Sequence, residues 1–218
     1  MAFQTNIGSI EQANFRHLVY DIAWFGLALA ATSRFLSVYA IRLGAGSLEL
    51  GLIAALPALL VVLSTMWTSR WRSRYATSTR ALTWPALAFR LMFLLPAFAP
   101  FFPTHLQPLY LVLSACLPAL AQGVAAVIFL ELFRGSVSPE AISPLLSKRS
   151  LWFNIALAIG AVGFGIWLER APFPVNYVIM FVFAFGFSML SFHHCNVVRP
   201  LMPAPQPQVE RSSRSVWQ

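Results

Sequence analysis

The chain has 218 residues, of which 58% are hydrophobic and only 10% charged. A soluble domain has roughly a quarter of its residues charged, and the apolar residues here run in long blocks rather than alternating at a strand period, so an all-α membrane protein is the class that fits. The formal charge of +8 does not imply nucleic acid, because the basic residues are spread between apolar blocks with no aromatic-interleaved basic face.

Residues 1–17 are polar and lack the basic region, short apolar core and small-residue cleavage site of a removable signal. They read as a cytoplasmic N-terminal segment. A span needs about 20 apolar residues at 1.5 Å each, and six segments qualify. The first, 18–41, has Asp21 near its start and Arg34 well inside it. Ser47 reads as the N-cap of the second, 47–67, which Pro57 should kink. A polar stretch with Arg70, Arg72, Arg74 and Arg80 follows. The third span, 81–102, is interrupted by Arg90 and ends in a turn at Pro100 and Pro103. The fourth, 106–130, is uncharged and carries Pro118, Gln122 and Gly123. The fifth, 151–168, is rich in glycine, and the sixth, 175–195, in aromatic residues. Residues 200–218 are rich in proline and polar groups and read as a disordered cytoplasmic tail or interdomain linker.

Four guanidinium groups within 70–80 keep that loop on the side of synthesis, since each costs a few kcal/mol or more at the bilayer centre. With six spans, eleven of the fifteen Lys and Arg residues fall on that side. Arg42 and Arg170 fall outside, and Arg34 and Arg90 within spans. The expected arrangement is a multi-pass protein of the inner or plasma membrane with both termini cytoplasmic.

Arg34 lies about 20 Å along the first helix from Asp21 at 1.5 Å per residue. An ionised group there either meets an anion or substrate in a cavity or snorkels out along its own stem. Arg90 and Gln122 come at similar depths, where they either share a polar site or bond one another. Asp21 and Glu131 stand at the inner ends of the first and fourth helices, close to the basic loops. An acid–arginine latch is one reading, and a local Glu131–Arg134 pair at i,i+3 is the other. Asn154 reads as an interhelical hydrogen bonder. Ala156, Gly160, Gly163 and Gly165 form a smooth strip for close helix packing.

His193, His194 and Cys195 are consecutive and cannot all face one ion on a helix, so no metal site is expected. Cys116 and Cys195 read as free thiols. No phosphate-binding glycine loop, catalytic carboxylate pair or nucleophile–base arrangement is evident. The chain therefore reads as neither an enzyme nor a cofactor protein.

Three segments carry a family likeness: Leu43-Gly44-Ala45-Gly46-Ser47-Leu48-Glu49-Leu50-Gly51 before the second span, Ser147-Lys148-Arg149-Ser150 before the fifth, and Pro172-Phe173-Pro174-Val175-Asn176-Tyr177 before the sixth. With the six-span layout they resemble the N-terminal half of the major facilitator superfamily over about residues 15–200. The family's loop signature, Gly-x-x-x-Asp-Arg-x-Gly-Arg-Arg, is degraded. With Arg70 on its first arginine, Thr65 and Ser69 stand in place of Gly and Asp, and Arg72 in place of the second Gly.

The resemblance implies a half-bundle of two three-helix repeats. It implies a secondary transporter moving a small-molecule substrate by alternating access, paired within membrane lipid with a second six-helix half from downstream sequence or a second copy. Arg34, Gln122 and Arg90 would then contact substrate, and Asp21, Arg70, Glu131 and Arg149 would gate. The degraded signature also suits a non-transport subunit or assembly factor, similar to the branch that helps build bacterial light-harvesting complexes. In that reading His17 and His105 would touch pigment.

Overall fold

The computed structural model describes residues 2–201, with side chains from residue 8 onward. The expected tail therefore lies almost wholly outside the described residues. All regular structure among them is helical: α1 (Ala2–Ala30), a π turn (Ala31–Phe35), α2 (Leu36–Arg42), α3 (Ser47–Thr65), α4 (Thr68–Arg72), α5 (Ser78–Arg90), three 3₁₀ turns, α6 (Gln107–Arg134), α7 (Pro139–Arg170) and α8 (Val175–Val197). Five stretches are long and apolar enough to cross a membrane: Gly8–Arg42, Ser47–Thr65, Thr104–Arg134, Pro139–Arg170 and Val175–Val197. A sixth exists if Ser78–Phe93 and Leu95–Phe101, which meet at 43°, form one broken span.

Local chemistry sets the boundaries. Gly44, at φ +88°, supplies the left-handed turn that ends α2, where the Ala45 N–H returns to the Ala40 carbonyl at 2.9 Å. Gly46 rather than Ser47 caps α3. Its N–H donates to Glu49 Oε2 at 2.9 Å, so the capping acid sits three residues inside. Pro85 within α5 cannot donate to the Ala81 carbonyl four residues back. The Trp71 indole N–H fills that vacancy at 2.8 Å. Beyond Arg90 the third span turns to 3₁₀ geometry as Pro96 and Pro100 remove further donors. The fifth helix begins at Pro139, twelve residues before the expected 151, where Pro139 and Glu140 supply first-turn proline and first-turn acid. Ser138 holds the N-cap position with its N–H donated to Glu11 Oε1 at 2.7 Å rather than with a side-chain cap bond. Residues 147–150 are therefore helix and not a turn.

Two helices form the spine. The first span packs chiefly against α7 and α8, and α6 against α3 and α5. In lipid this packing relies on close approach rather than on apolar burial, so small residues sit at the crossings. A Cβ on Gly26 of α1 would lie 2.8 Å from the Phe153 carbonyl oxygen, and one on Gly160 of α7 would lie 2.9 Å from Ala30 Cβ. Gly123 of α6 lies tighter still against the Val61 carbonyl and Ser64 Oγ of α3. Gly163 faces open space and Gly165 meets only Phe35 at ordinary contact distance, so the expected strip narrows to Ala156 and Gly160.

One end of the bundle, here the basic end, carries α4 and the loops with Arg134 and Arg199. Leu18, Leu82, Ile128, Leu132 and Leu145 pack beneath it, while Tyr39, Phe93, Tyr177 and Phe181 fill the distal half. Asn14 ties the basic end together. It donates to the Ser136 carbonyl at 2.8 Å and the Arg199 carbonyl at 2.6 Å, and accepts from the Arg199 N–H at 3.0 Å.

Candidate functional site

A cavity of about 240 Å³ lies among the helices in the basic half, lined by Asp21, Phe25, Arg90, Gln122, Arg149 and Ser191 among others. Five helices supply these groups: α1, α5, α6, α7 and α8. Its charged residues are almost fully buried, with Arg90 3% exposed, Asp21 5% and Arg149 8%. Such groups survive at membrane depth only when they are bonded or face a polar cavity.

The charges form a chain across four helices. Arg149 Nη1 lies 3.2 Å from Asp21 Oδ2 and also donates to the Leu18 carbonyl. Ser191 Oγ donates to Asp21 Oδ1 at 2.7 Å and accepts from Arg90 Nη2 at 3.1 Å. Arg90 completes its fork by donating from Nε to the Ser188 carbonyl at 2.9 Å and from Nη1 to the Ala86 carbonyl at 2.7 Å. Aromatic faces hold both guanidinium planes. Arg90 Cζ lies 4.8 Å from the Phe89 ring centre and 5.0 Å from that of Phe192. Arg149 Cζ lies 5.4 Å from the Phe129 centre.

Two positive groups and one negative group leave the cavity at net +1. Donors also remain. Among the described residues, Arg149 Nε and Nη2 bond no protein acceptor, nor does the half-buried Gln122 amide bond any protein group. Exposed Ala126 lies at the rim, so the cavity reaches the surface on the α6 side. The arrangement can accept a small anion between two guanidinium groups and a carboxamide.

A second ion pair lies at the basic end. Arg72 grips Glu131 with its Nε 2.9 Å from Oε2 and its Nη2 2.8 Å from Oε1. Ser78 Oγ donates to Oε1 at 2.7 Å, and Arg72 Nη1 donates to the Tyr75 carbonyl at 2.8 Å. The Glu131 carboxylate holds the Arg72 guanidinium above its ordinary pKa, chiefly through these hydrogen bonds. Glu131 therefore reaches across to α4 and not along its own helix to Arg134. Arg70, counted among the gate residues from its place in the loop, is exposed and takes no part in this pair. Its neighbour two positions on points the other way around the short helix.

Arg34 does not line the cavity. Thirteen residues beyond Asp21 at 100° each, it points about 140° away from that carboxylate on helical grounds alone, and it is exposed within the π turn. Rise per residue gives the depth of Arg34 along the axis, and 100° per residue gives the direction that takes it away from the cavity. Asn154 bonds its own helix, donating to the Ser150 carbonyl at 2.8 Å, and makes no interhelical bond among the described residues. His17 Nδ1 lies 3.0 Å from His194 Nδ1, and His105 is exposed at the distal end. No group of three or more His, Cys, Asp or Glu side chains among the described residues is placed to hold a metal ion. Cys116 and Cys195 are both free and buried.

Ser191 is the residue that sequence reasoning missed. Its signal was present: Ser188, Ser191 and Cys195 recur at i, i+3 and i+7, a polar stripe on one face of an otherwise apolar span.

No family model, curated protein or solved structure matches the chain.

Proposed function

We propose that this chain is one six-helix half of a secondary transporter of the major facilitator type, moving a small anion across the inner or plasma membrane with both termini cytoplasmic. The observation that carries this reading is the net-positive cavity, where Arg149 and Gln122 keep donors free beside Arg90. Sites built at the meeting of several helices near mid-membrane are how such transporters hold substrate. The packing pattern also supports a half-bundle of two three-helix repeats. Exchanging spans one, two and three for four, five and six turns the pairings of α1 with α7 and α8 into those of α6 with α3 and α5.

The two ion pairs supply the latches of this reading. Asp21–Arg149 ties α1 to α7 and Glu131–Arg72 ties α6 to the segment after α3, so each closely crossing pair is clamped at the basic end. The second half comes from downstream sequence or from another copy of the chain.

One observation favours a non-transport subunit or assembly factor instead. Arg72 is engaged by Glu131 of the same bundle, which leaves that loop arginine unavailable to latch a second half. Flux separates the two readings. Proteoliposomes holding the chain and loaded with labelled small carboxylates, phosphate or sulfonates should release one of them. That flux should fall at least tenfold in Gln122→Ala and persist in Arg34→Ala. Absence of flux for every anion, with a second half present, would favour the subunit.

A further inference from the structure

On the face of α1 opposite the arginine cavity runs a second and larger hollow, of about 500 Å³, walled by α1 and α7. The two faces follow from helical phase. Asp21, Ile22 and Phe25 line the inner cavity, while Arg16, Tyr20, Trp24 and Leu27, at steps of three and four, line this outer groove. From α7 come Lys148, Trp152, Ile155 and Ile159.

Charge and grease are segregated along it. Arg16 and Lys148 stand together at the basic end, both exposed. Neither has a salt-bridge partner among the described residues. Lys148 Nζ lies 5.9 Å from the Phe15 ring centre, which holds it over the groove mouth. No acidic residue lines the groove. Below the two cations the lining is aromatic, with Tyr20, Trp24 and Trp152, and then aliphatic, with Leu27, Ile155 and Ile159.

The length fits one leaflet. Arg16 to Leu27 on one wall and Lys148 to Ile159 on the other are both eleven residues, about 16 Å at 1.5 Å per residue. Half of a hydrocarbon core is about 15 Å. A cation pair therefore sits where a phosphate headgroup lies, and the apolar channel ends where an acyl chain ends. Tyr and Trp occupy the interfacial depth they favour.

We propose that this groove is a binding site for one anionic phospholipid, its phosphate held between Arg16 and Lys148 and an acyl chain lying between α1 and α7. A lipid so placed would cover the crossing at which Gly26 and Gly160 bring those helices together. The site is independent of whether the chain transports.

The test is lipid retention by native mass spectrometry. The chain is purified from bilayers holding equal phosphatidylglycerol and phosphatidylcholine and then washed through lipid-free detergent. The parent should keep about one phosphatidylglycerol and no phosphatidylcholine. Arg16→Gln with Lys148→Gln should cut that retention at least tenfold. Ala23→Phe, which fills the groove without changing charge, should do the same. Arg70→Gln with Arg74→Gln removes two exposed cations away from the groove and should leave retention unchanged. All the arginines and the lysine substituted are exposed, so the fold does not depend on them. Equal retention in parent and groove variants would overturn the proposal. So would equal loss in the Arg70/Arg74 control, retention of phosphatidylcholine to the same extent, or a lipid-free dimer with a second copy seated in the groove.

Discussion

Ser191 of α8 donates a 2.7 Å hydrogen bond to Asp21 of α1, and the same hydroxyl accepts from Arg90. One small uncharged side chain thus joins a buried acid to a buried base that never touch directly. Replacing it by alanine leaves a buried carboxylate oxygen and a buried guanidinium N–H without that partner.

Ser191→Ala should lower stability by about 1–3 kcal/mol, the range for orphaning buried polar groups. Arg149→Gln should cost more, about 3–5 kcal/mol, because it strips a buried carboxylate of its ion-pair partner. Chemical unfolding of the purified chain in detergent measures both. A change of a few tenths for Ser191→Ala would mean that the hydroxyl does not bridge the two charges.

The Glu131 clamp predicts a contrast between two arginines two positions apart. Arg72→Ala and Glu131→Ala should be coupled in a double-mutant cycle, and Arg70→Ala should show no coupling to Glu131. Glu131 is 46% exposed at its side chain, so solvent screening keeps the coupling below about 1 kcal/mol. Equal coupling for Arg70 and Arg72 would place the clamp elsewhere.

The glycines predict a second contrast. Gly123→Val must push α6 off the α3 backbone at Val61, whereas Gly163→Val enters open space. The first should lose about 1–3 kcal/mol, as overpacking does, and the second almost nothing. Thermal unfolding of the two variants side by side decides it, and equal losses would contradict the close α3–α6 crossing.

Much of this architecture was legible in the residues, because a 20-residue apolar block bounded by arginines leaves few alternatives in lipid. Depth was legible too. Counting rise per residue put Arg90 and Gln122 at one level, and both line one cavity. What escaped was azimuth and neutral polarity. Arg34 has the depth of a cavity residue but the wrong azimuth, and Arg70 has the motif position but is exposed and outside the Glu131 pair. Ser191 carries a weak signal, because hydroxyls are common in spans and its stripe with Ser188 and Cys195 is short. The start of α7 at Pro139 was written in Ser138, Pro139 and Glu140, but a polar first three turns hid it from a hydropathy count.

The central claim is that the buried cavity is wet and positive. It is tested by the reactivity of a single thiol in Gln122→Cys, with Cys116 and Cys195 replaced by serine and the chain reconstituted in bilayers. Rates with a negatively charged sulfonatoethyl methanethiosulfonate and a positively charged trimethylammonioethyl one are each divided by the rate with a free thiol. Beside one unbalanced positive charge at the intermediate dielectric of a protein interior, the anionic reagent should be favoured about tenfold. A cationic preference, or a thiol that neither reagent reaches, would contradict the account.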